Sequence, residues 1–317
     1  MTFLVIRLGA MGDVIHTLPA VAALKRAFPA SRLSWAIEPR WSILLEGNPY
    51  IDRIIAIERG GLSTLRRTYQ SLQATRFDIA VDFQGLLKSA AVAFFSNAAQ
   101  TIGFDRTRER SAAVFYTRRM EAHAVHIVDR NLELAAACGA GNSRVEFPLP
   151  VGMVEGELPD GPFALASPLA GWPSKQWPIQ NYGELARRLD IPLVLNGPPE
   201  AEAKMRAVPG CQVHLSGIAG LIHATRRAAV VIGLDSGPLQ LAAALDKQGV
   251  ALFGPTDPAR NGPYGGSIRV IRSAEAVTSY KRRNEIDPSM WAISPDAVCA
   301  ELQAILVRRT EFPAEYA

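Results

Sequence analysis

The stretch FLVIRLGAMGDVIHTLP, residues 3–19, constrains the fold of this chain more than any other. Residues 3–6 form a short apolar run suited to a strand buried on both faces. Arg7 ends the run, and Gly9 and Gly12 permit a tight turn or a close backbone approach. Apolar residues then return at helical spacing at Val14, Leu18, Val21, Ala22 and Leu24. The unit is strand, glycine loop, helix, and in a parallel sheet such a loop lies at the carboxyl edge, where ligands bind. Two charged residues sit there, Arg7 and Asp13. Asp13 suits a helix N-cap, for which Asp is a favoured type, and equally suits a functional carboxylate. The G-x-x-G spacing departs from the dinucleotide fingerprint, and no P-loop lysine follows, so neither motif is present.

The alternation continues down the chain. Residues 33–37, 51–57 and 77–83 read as strands, 62–75 and 86–95 as helices, and 100–104 as a short extended piece. Residues 122–138 are expected as a helix that begins near His123. Residues 139–160, rich in Gly, Pro and polar side chains, form the natural linker. Beyond it the pattern restarts, with strands at 163–166, 191–196, 214–215, 229–234 and 250–253. Helices are expected there at 181–189, 218–228 and 239–245, with another beginning at 200–206 and an amphipathic one at about 295–308. Strand alternating with helix predicts an α/β protein with parallel doubly wound sheets. Two domains facing a central cleft are expected, residues 1–150 and 151–295, with a final helix of about 296–317 packing back on the first.

Composition narrows the function. The chain is 317 residues long, 48% hydrophobic and 20% charged, enough for two globular domains. Its three cysteines, Cys138, Cys211 and Cys299, are far apart and form no C-x-x-C, which points to free thiols rather than disulfides or zinc. Asp13 interrupts any signal-like segment, and no apolar run approaches the ~20 residues of a membrane span. A cytoplasmic protein is expected. The net charge of +4 is uneven: residues 1–150 hold 18 Lys and Arg against 13 Asp and Glu, and residues 151–317 hold 16 against 17. The surplus, with Arg66 and Arg67 on one helix and Arg106, Arg108 and Arg110 in a loop, predicts an anionic partner for the first half. No nucleic-acid module accompanies it, so nucleic acid is not expected.

The second half carries its own strand–loop–helix site. An apolar strand runs into Asp235-Ser236-Gly237, and a helix follows at once. A helix N-terminus with glycine and a hydroxyl presents N–H groups to phosphate, while the same residues also suit a plain N-cap. Lys175 lies in a loop between Trp172 and Trp177, where a solvated lysine is the ordinary reading. Glu200 follows a Gly-Pro-Pro turn. His123 and His126 share an i,i+3 spacing with no third metal ligand in view. No G-x-S-x-G is present.

Taken in order, Arg7, MGDVIHTLP at 11–19, DFQGLLKS at 82–89, KQWP at 175–178, DSG at 235–237 and FGPTDP at 253–258 resemble glycosyltransferase family 9 over nearly the whole chain. The resemblance implies a GT-B fold of two Rossmann-like domains, with the donor bound mainly by the second. It implies inverting transfer of heptose from ADP-heptose to a Kdo sugar on lipid A, with no metal and no cofactor. A monomer working at the cytoplasmic face of the inner membrane is expected. By match to the motifs, Asp13 is the general base, Arg7 helps hold the acceptor, and Lys88, Arg108 and His123 fall on the acceptor side, where the basic Arg66 and Arg67 are placed too. Lys175 meets the donor phosphates as a second catalytic group. Gly12, Asp235, Ser236, Gly237 and Gln240 border the donor, and Glu200 or Glu202 reaches its ribose. The chain departs from the family pattern at Gly9, Ala10, Ala170 and Gly171, where hydroxyl residues are expected, and at Gln240, where a histidine is expected. Two other classes stay open: a transferase or epimerase acting on another nucleotide sugar, and a non-catalytic protein that binds a nucleotide sugar or a lipid headgroup.

Overall fold

The computed structural model describes residues 1–58, 60–141 and 144–311. The chain divides into two compact units, Met1–Pro150 and Val151–Ala317. The first is built on a six-stranded sheet of β1 (Thr2–Ile6), β2 (Arg32–Ile37), β3 (Arg53–Ala56), β4 (Ile79–Asp82), β5 (Gln100–Phe104) and β6 (Arg118–Met120). Their order across the sheet is β3-β2-β1-β4-β5-β6, and every pairing is parallel. In register, Val5 of β1 lies between Trp35 and Val81. Helices cover both faces, so β1 is buried almost throughout, as its apolar run requires.

The second unit repeats the plan with β7 (Ala164–Ala166), β8 (Leu193–Gly197), β9 (Cys211–Leu215), β10 (Val230–Leu234), β11 (Gly249–Phe253) and β12 (Ile268–Arg272). Their order is β12-β11-β10-β7-β8-β9, again all parallel. In each unit the first and fourth strands are neighbours at the centre, where the winding reverses. Open α/β sheets bind ligands outside the carboxyl ends of those two strands. The topology therefore points to the loops after β1 and β4 in one unit and after β7 and β10 in the other.

Three sequence expectations change. The single helix after the glycine loop is two, Met11–Ile15 and Leu18–Ala27, with Pro19 in the first turn of the second. Proline has no N–H to continue the earlier helix but suits the start of a new one. The helix expected from His123 begins at Ile127 with His126 as its N-cap. Glu133 holds the preceding residues extended by accepting the His123 and Ala124 N–H groups, at 2.8 and 3.1 Å. Strands β6 and β12 were not anticipated: their arginine-rich sequences lack the apolar run that marks the other strands. The last helix is Pro295–Glu311. Its Val298, Cys299, Leu302 and Ile305 lie in the second unit's core with Trp177, Tyr182 and Val250. Among the described residues, no helix is long and apolar enough to cross a membrane.

Candidate active site

In the first unit the loop after β1 carries the reactive pair. Arg7 is 2% exposed, and its Nη2 lies 2.6 Å from Asp13 Oδ1. Its Nη1 donates to the Phe83 carbonyl just beyond β4. The two strand ends at the reversal point are thus joined through one guanidinium, whose fixed fork can serve a carboxylate and a carbonyl together. Asp13 is not the N-cap: Ala10 is, without a side-chain cap bond, and Asp13 stands in the first turn. Its second oxygen, Oδ2, faces Arg108 Nη1 at 3.4 Å. Burial pushes the Asp13 carboxyl up, but Arg7, Arg108 and His16, with the Arg7 hydrogen bond, outweigh it and hold the group below the usual carboxylate range. Asp13 is ionised at neutral pH, with one oxygen engaged by a buried cation and the other by an exposed one.

The loop is braced from beneath. Gln84 Oε1 accepts the Leu8 N–H at 2.7 Å, and Trp35 Nε1 donates to the Arg7 carbonyl at 3.1 Å. Asp82, fully buried at the end of β4, accepts from Tyr116 Oη at 2.6 Å and Ser89 Oγ at 2.7 Å. It also accepts the N–H groups of Gln84 and Gly85, at 2.8 and 3.2 Å. Burial pushes the Asp82 carboxyl up against the pull of these four donors. Gly85 turns at φ +67°, a conformation that favours glycine, and its carbonyl accepts the Glu109 N–H at 3.1 Å. That bond fastens the loop carrying Arg108 beside the turn after β4. Nothing in the DFQG sequence itself signals that Asp82, Gln84 and Tyr116 brace the loops that carry Arg7 and Arg108. The missing signal was Tyr116, which is distant in sequence.

Other predicted residues fall around this pair. Lys88 Nζ reaches Glu38 Oε1 at 2.9 Å, and Arg40 Nη2 reaches Glu38 Oε2 at 3.0 Å, outside β2. Arg66 and Arg67 are exposed on the helix Leu62–Gln73, with Arg67 paired to Glu58 at 3.3 Å. His123 is exposed in the segment before the helix it was expected to begin. Gly12 lies in the short helix with Asp13, its carbonyl accepting from the His16 N–H at 2.9 Å. Gly9 packs closely against Trp41. A Cβ there would come 2.5 Å from Trp41 Nε1, so a serine would strike the indole.

In the second unit the loops after β7 and β10 meet. Lys175 Nζ lies 2.5 Å from Asp235 Oδ2, with the two side chains 15% and 10% exposed. The ammonium also sits 4.3 Å from the centre of the Trp172 ring, and the Arg282 guanidinium lies 5.3 Å from the same ring. The solvated reading of Lys175 is wrong: indole and carboxylate confine it. Trp172 flanks Lys175 in the sequence as well, whereas Arg282 lies more than a hundred positions away and carries no such sign. Ser236 is the N-cap of the helix Gly237–Ala244, yet its Oγ turns back to the Leu234 carbonyl at 3.2 Å and caps no N–H. The first N–H groups of that helix have no side-chain cap, which is the arrangement that receives phosphate. Gln240 is buried and donates to the Asn261 carbonyl at 2.7 Å, so its amide braces the loop after β11. Glu200 is exposed in the one-turn helix Pro199–Ala201, while Glu202 pairs with Arg206 at 2.7 Å.

One unit thus presents an ionised carboxylate gripped by arginine, and the other a lysine and a helix N-terminus. Known proteins resemble this chain in sequence and fold. Residues 65–289 match glycosyltransferase family 9 (heptosyltransferase). Lipopolysaccharide heptosyltransferase 1 of Pseudomonas aeruginosa is 30% identical over 298 residues, covering 84% of this chain and 82% of that one. Its namesake from Escherichia coli K12 is 29% identical over 303 residues, covering 86% and 94%. The structure of E. coli heptosyltransferase WaaC with ADP superposes with a TM-score of 0.79 at 25% identity, covering 96% of this chain and 100% of that chain. The fold is GT-B, and the chain belongs to glycosyltransferase family 9, the heptosyltransferases.

Proposed function

We propose that this chain transfers heptose, with inversion, from ADP-heptose to a Kdo residue of lipid A, with Asp13 as general base. The observation that carries the reading is the Asp13 carboxylate held by Arg7 at 2.6 Å outside the central strands of its sheet. The acceptor hydroxyl attacks the anomeric carbon of heptose while the bond to the ADP phosphate oxygen breaks. The hydroxyl proton passes to Asp13, and the electron pair leaves with ADP. A carboxylate held below its usual range is a weak base, so transfer comes late, once the attacking oxygen has become acidic by forming its new bond. Arg108, more than half exposed and loosely held at 3.4 Å, is free to turn to an anionic acceptor. That turn would return basicity to Asp13.

The leaving diphosphate is assigned to the second unit. Lys175 and the N–H groups opening the helix Gly237–Ala244 supply positive charge where the leaving group gains negative charge. Asp235 holds Lys175 until phosphate competes for it, and Trp172 fixes the direction of its stem. Gly12 and either Glu200 or Glu202 complete the donor side, the glutamate at the ribose. Lys88, Arg66, Arg67 and His123 are placed on the acceptor side, and the first unit is the acceptor-binding domain. A lipid-borne acceptor would bring the protein to the cytoplasmic face of the inner membrane. Support for the donor comes from the WaaC structure solved with ADP and from the names of the relatives. The test is release of ADP from ADP-heptose with Kdo-lipid A as acceptor, beside parallel reactions with UDP-sugars and with an acceptor already carrying heptose. Turnover on the first pair supports the proposal. Turnover only on another pair, or donor binding with no turnover, contradicts it.

A further inference from the structure

The first unit exposes an apolar strip that its core does not use. On the helix Leu62–Gln73, Leu62, Leu65 and Tyr69 recur at i, i+3 and i+7 and share one face. Leu65 is 62% exposed and Tyr69 is 49% exposed. Tyr69 meets Phe95 with ring centres 6.2 Å apart, Phe95 meets Phe94 at 5.4 Å, and Phe94 meets Phe115 at 5.8 Å. These edge-on contacts join three elements, Leu62–Gln73, Leu87–Phe95 and the short helix Arg110–Phe115, into one surface. Phe94 is 59% exposed and the adjoining Val114 is 71% exposed. A soluble protein scatters exposed apolar side chains singly, and a joined aromatic strip marks a contact surface.

The charge around the strip selects its partner. The two longer helices together with residues 105–121 hold eight basic residues, Arg66, Arg67, Lys88, Arg106, Arg108, Arg110, Arg118 and Arg119, against Asp105, Glu109 and Glu121. Arg67, Lys88 and Arg108 pair with Glu58, Glu38 and Asp13 of other segments, so Arg66, Arg110, Arg118 and Arg119 carry the surplus of this face. Glu109 is exposed and accepts the Leu87 N–H at 2.6 Å, while Arg106 pairs with Glu121. Aromatic and aliphatic side chains with arginines on the same elements are what an interfacial protein places against anionic headgroups.

We infer that this face docks on an anionic lipid bilayer, with Leu65, Phe94 and Val114 entering the headgroup boundary and the arginines meeting lipid phosphates. The inference rests on the reading of a lipid-borne acceptor for its purpose, and its evidence is separate from that of the transfer chemistry. The test is cosedimentation of the full chain with phosphatidylglycerol–phosphatidylcholine vesicles and with phosphatidylcholine alone. Wild type is expected to bind the anionic vesicles and to leave them as salt rises. Phe94→Ser with Val114→Ser should weaken partitioning by roughly ten- to a hundredfold, and Arg110→Gln by about fivefold at low salt. The serine pair should keep the wild-type melting temperature and full activity on a delipidated, water-soluble acceptor. Patch-dependent vesicle binding sustains the docking face even where no transfer to that acceptor occurs, an outcome that sinks the transfer reading alone. Equal binding to neutral vesicles, or undiminished binding by the serine pair, overturns the inference. So does a dimer, seen by sedimentation equilibrium, that the serine pair abolishes, since the strip would then belong to a second copy of the chain.

Discussion

Replacing Arg7 by Met tests whether the buried pair organises the first unit. The methionine fills most of the arginine's volume but removes the charge facing Asp13 and the donor to the Phe83 carbonyl. Breaking a buried ion pair from one side costs about 3–5 kcal/mol, because the partner's charge is left uncompensated. Here Asp13 keeps Arg108 at 3.4 Å and its side chain is 24% exposed, so the cost should lie near the lower end, about 3 kcal/mol. For a unit of this size that lowers the melting temperature by roughly 6–12 °C. Asp13→Asn keeps an acceptor oxygen but strands the buried guanidinium, costing about 1.5–3 kcal/mol. The double variant buries no lone charge and should fall short of the summed losses by about 1–3 kcal/mol. Scanning calorimetry of the four proteins at neutral pH measures this coupling. The sign with pH is fixed too. Because Asp13 is held below the usual range, the pair's contribution is complete above about pH 4 and is lost as pH falls through the lowered folded value. The gap between wild type and Arg7→Met should therefore close in acid. Additivity within about 0.5 kcal/mol, or a gap that widens below pH 4, would refute the reasoning.

Three further outcomes follow from the same geometry. Lys175→Ala removes a charge-assisted contact of about 1.5–3 kcal/mol at the leaving group, so donor kcat/KM should fall roughly ten- to a hundredfold, and a loss under about threefold would return Lys175 to a surface role. Arg108→Gln withdraws one of the cations that hold Asp13 down, so the acid limb of the kcat/KM profile should move to higher pH; an unmoved limb would exclude Arg108 from control of that carboxyl. Charge attraction at the exposed basic face is screened over about 8 Å at physiological salt, so the acceptor KM should rise with salt more than the donor KM, and equal responses would contradict an anionic acceptor on the first unit.

Much of this was legible because the informative residues are local. A four-residue apolar run, an arginine and two glycines identified β1 and its loop, and Asp235-Ser236-Gly237 identified its counterpart after β10. The motifs also placed Asp13 and Lys175 where the two reversal points lie. Partnership was the illegible part. Asp13 and Ser236 each looked like a helix cap, and spacing alone does not tell a capping oxygen from one engaged elsewhere. The structure pairs the first with Arg7 and turns the second back on Leu234. Lys175 looked solvated because its confinement depends on Asp235, sixty positions away. Tyr116 carried no sign that it serves Asp82, since the contact exists only once β4 and β5 have paired and the loop beyond them has folded over. Strands β6 and β12 were missed because edge strands carry charge where central ones carry apolar residues.

The most direct test of the account is kcat for wild type and Asp13→Asn with ADP-heptose and Kdo-lipid A, at a temperature where both are fully folded. Asparagine preserves the shape of the side chain and can still accept from Arg7, but it cannot take the acceptor's proton. The account predicts a fall of roughly 10²–10⁴-fold in kcat with the donor Kd almost unchanged, because the diphosphate is assigned to the other unit. A folded Asp13→Asn protein that keeps near-normal kcat would contradict it.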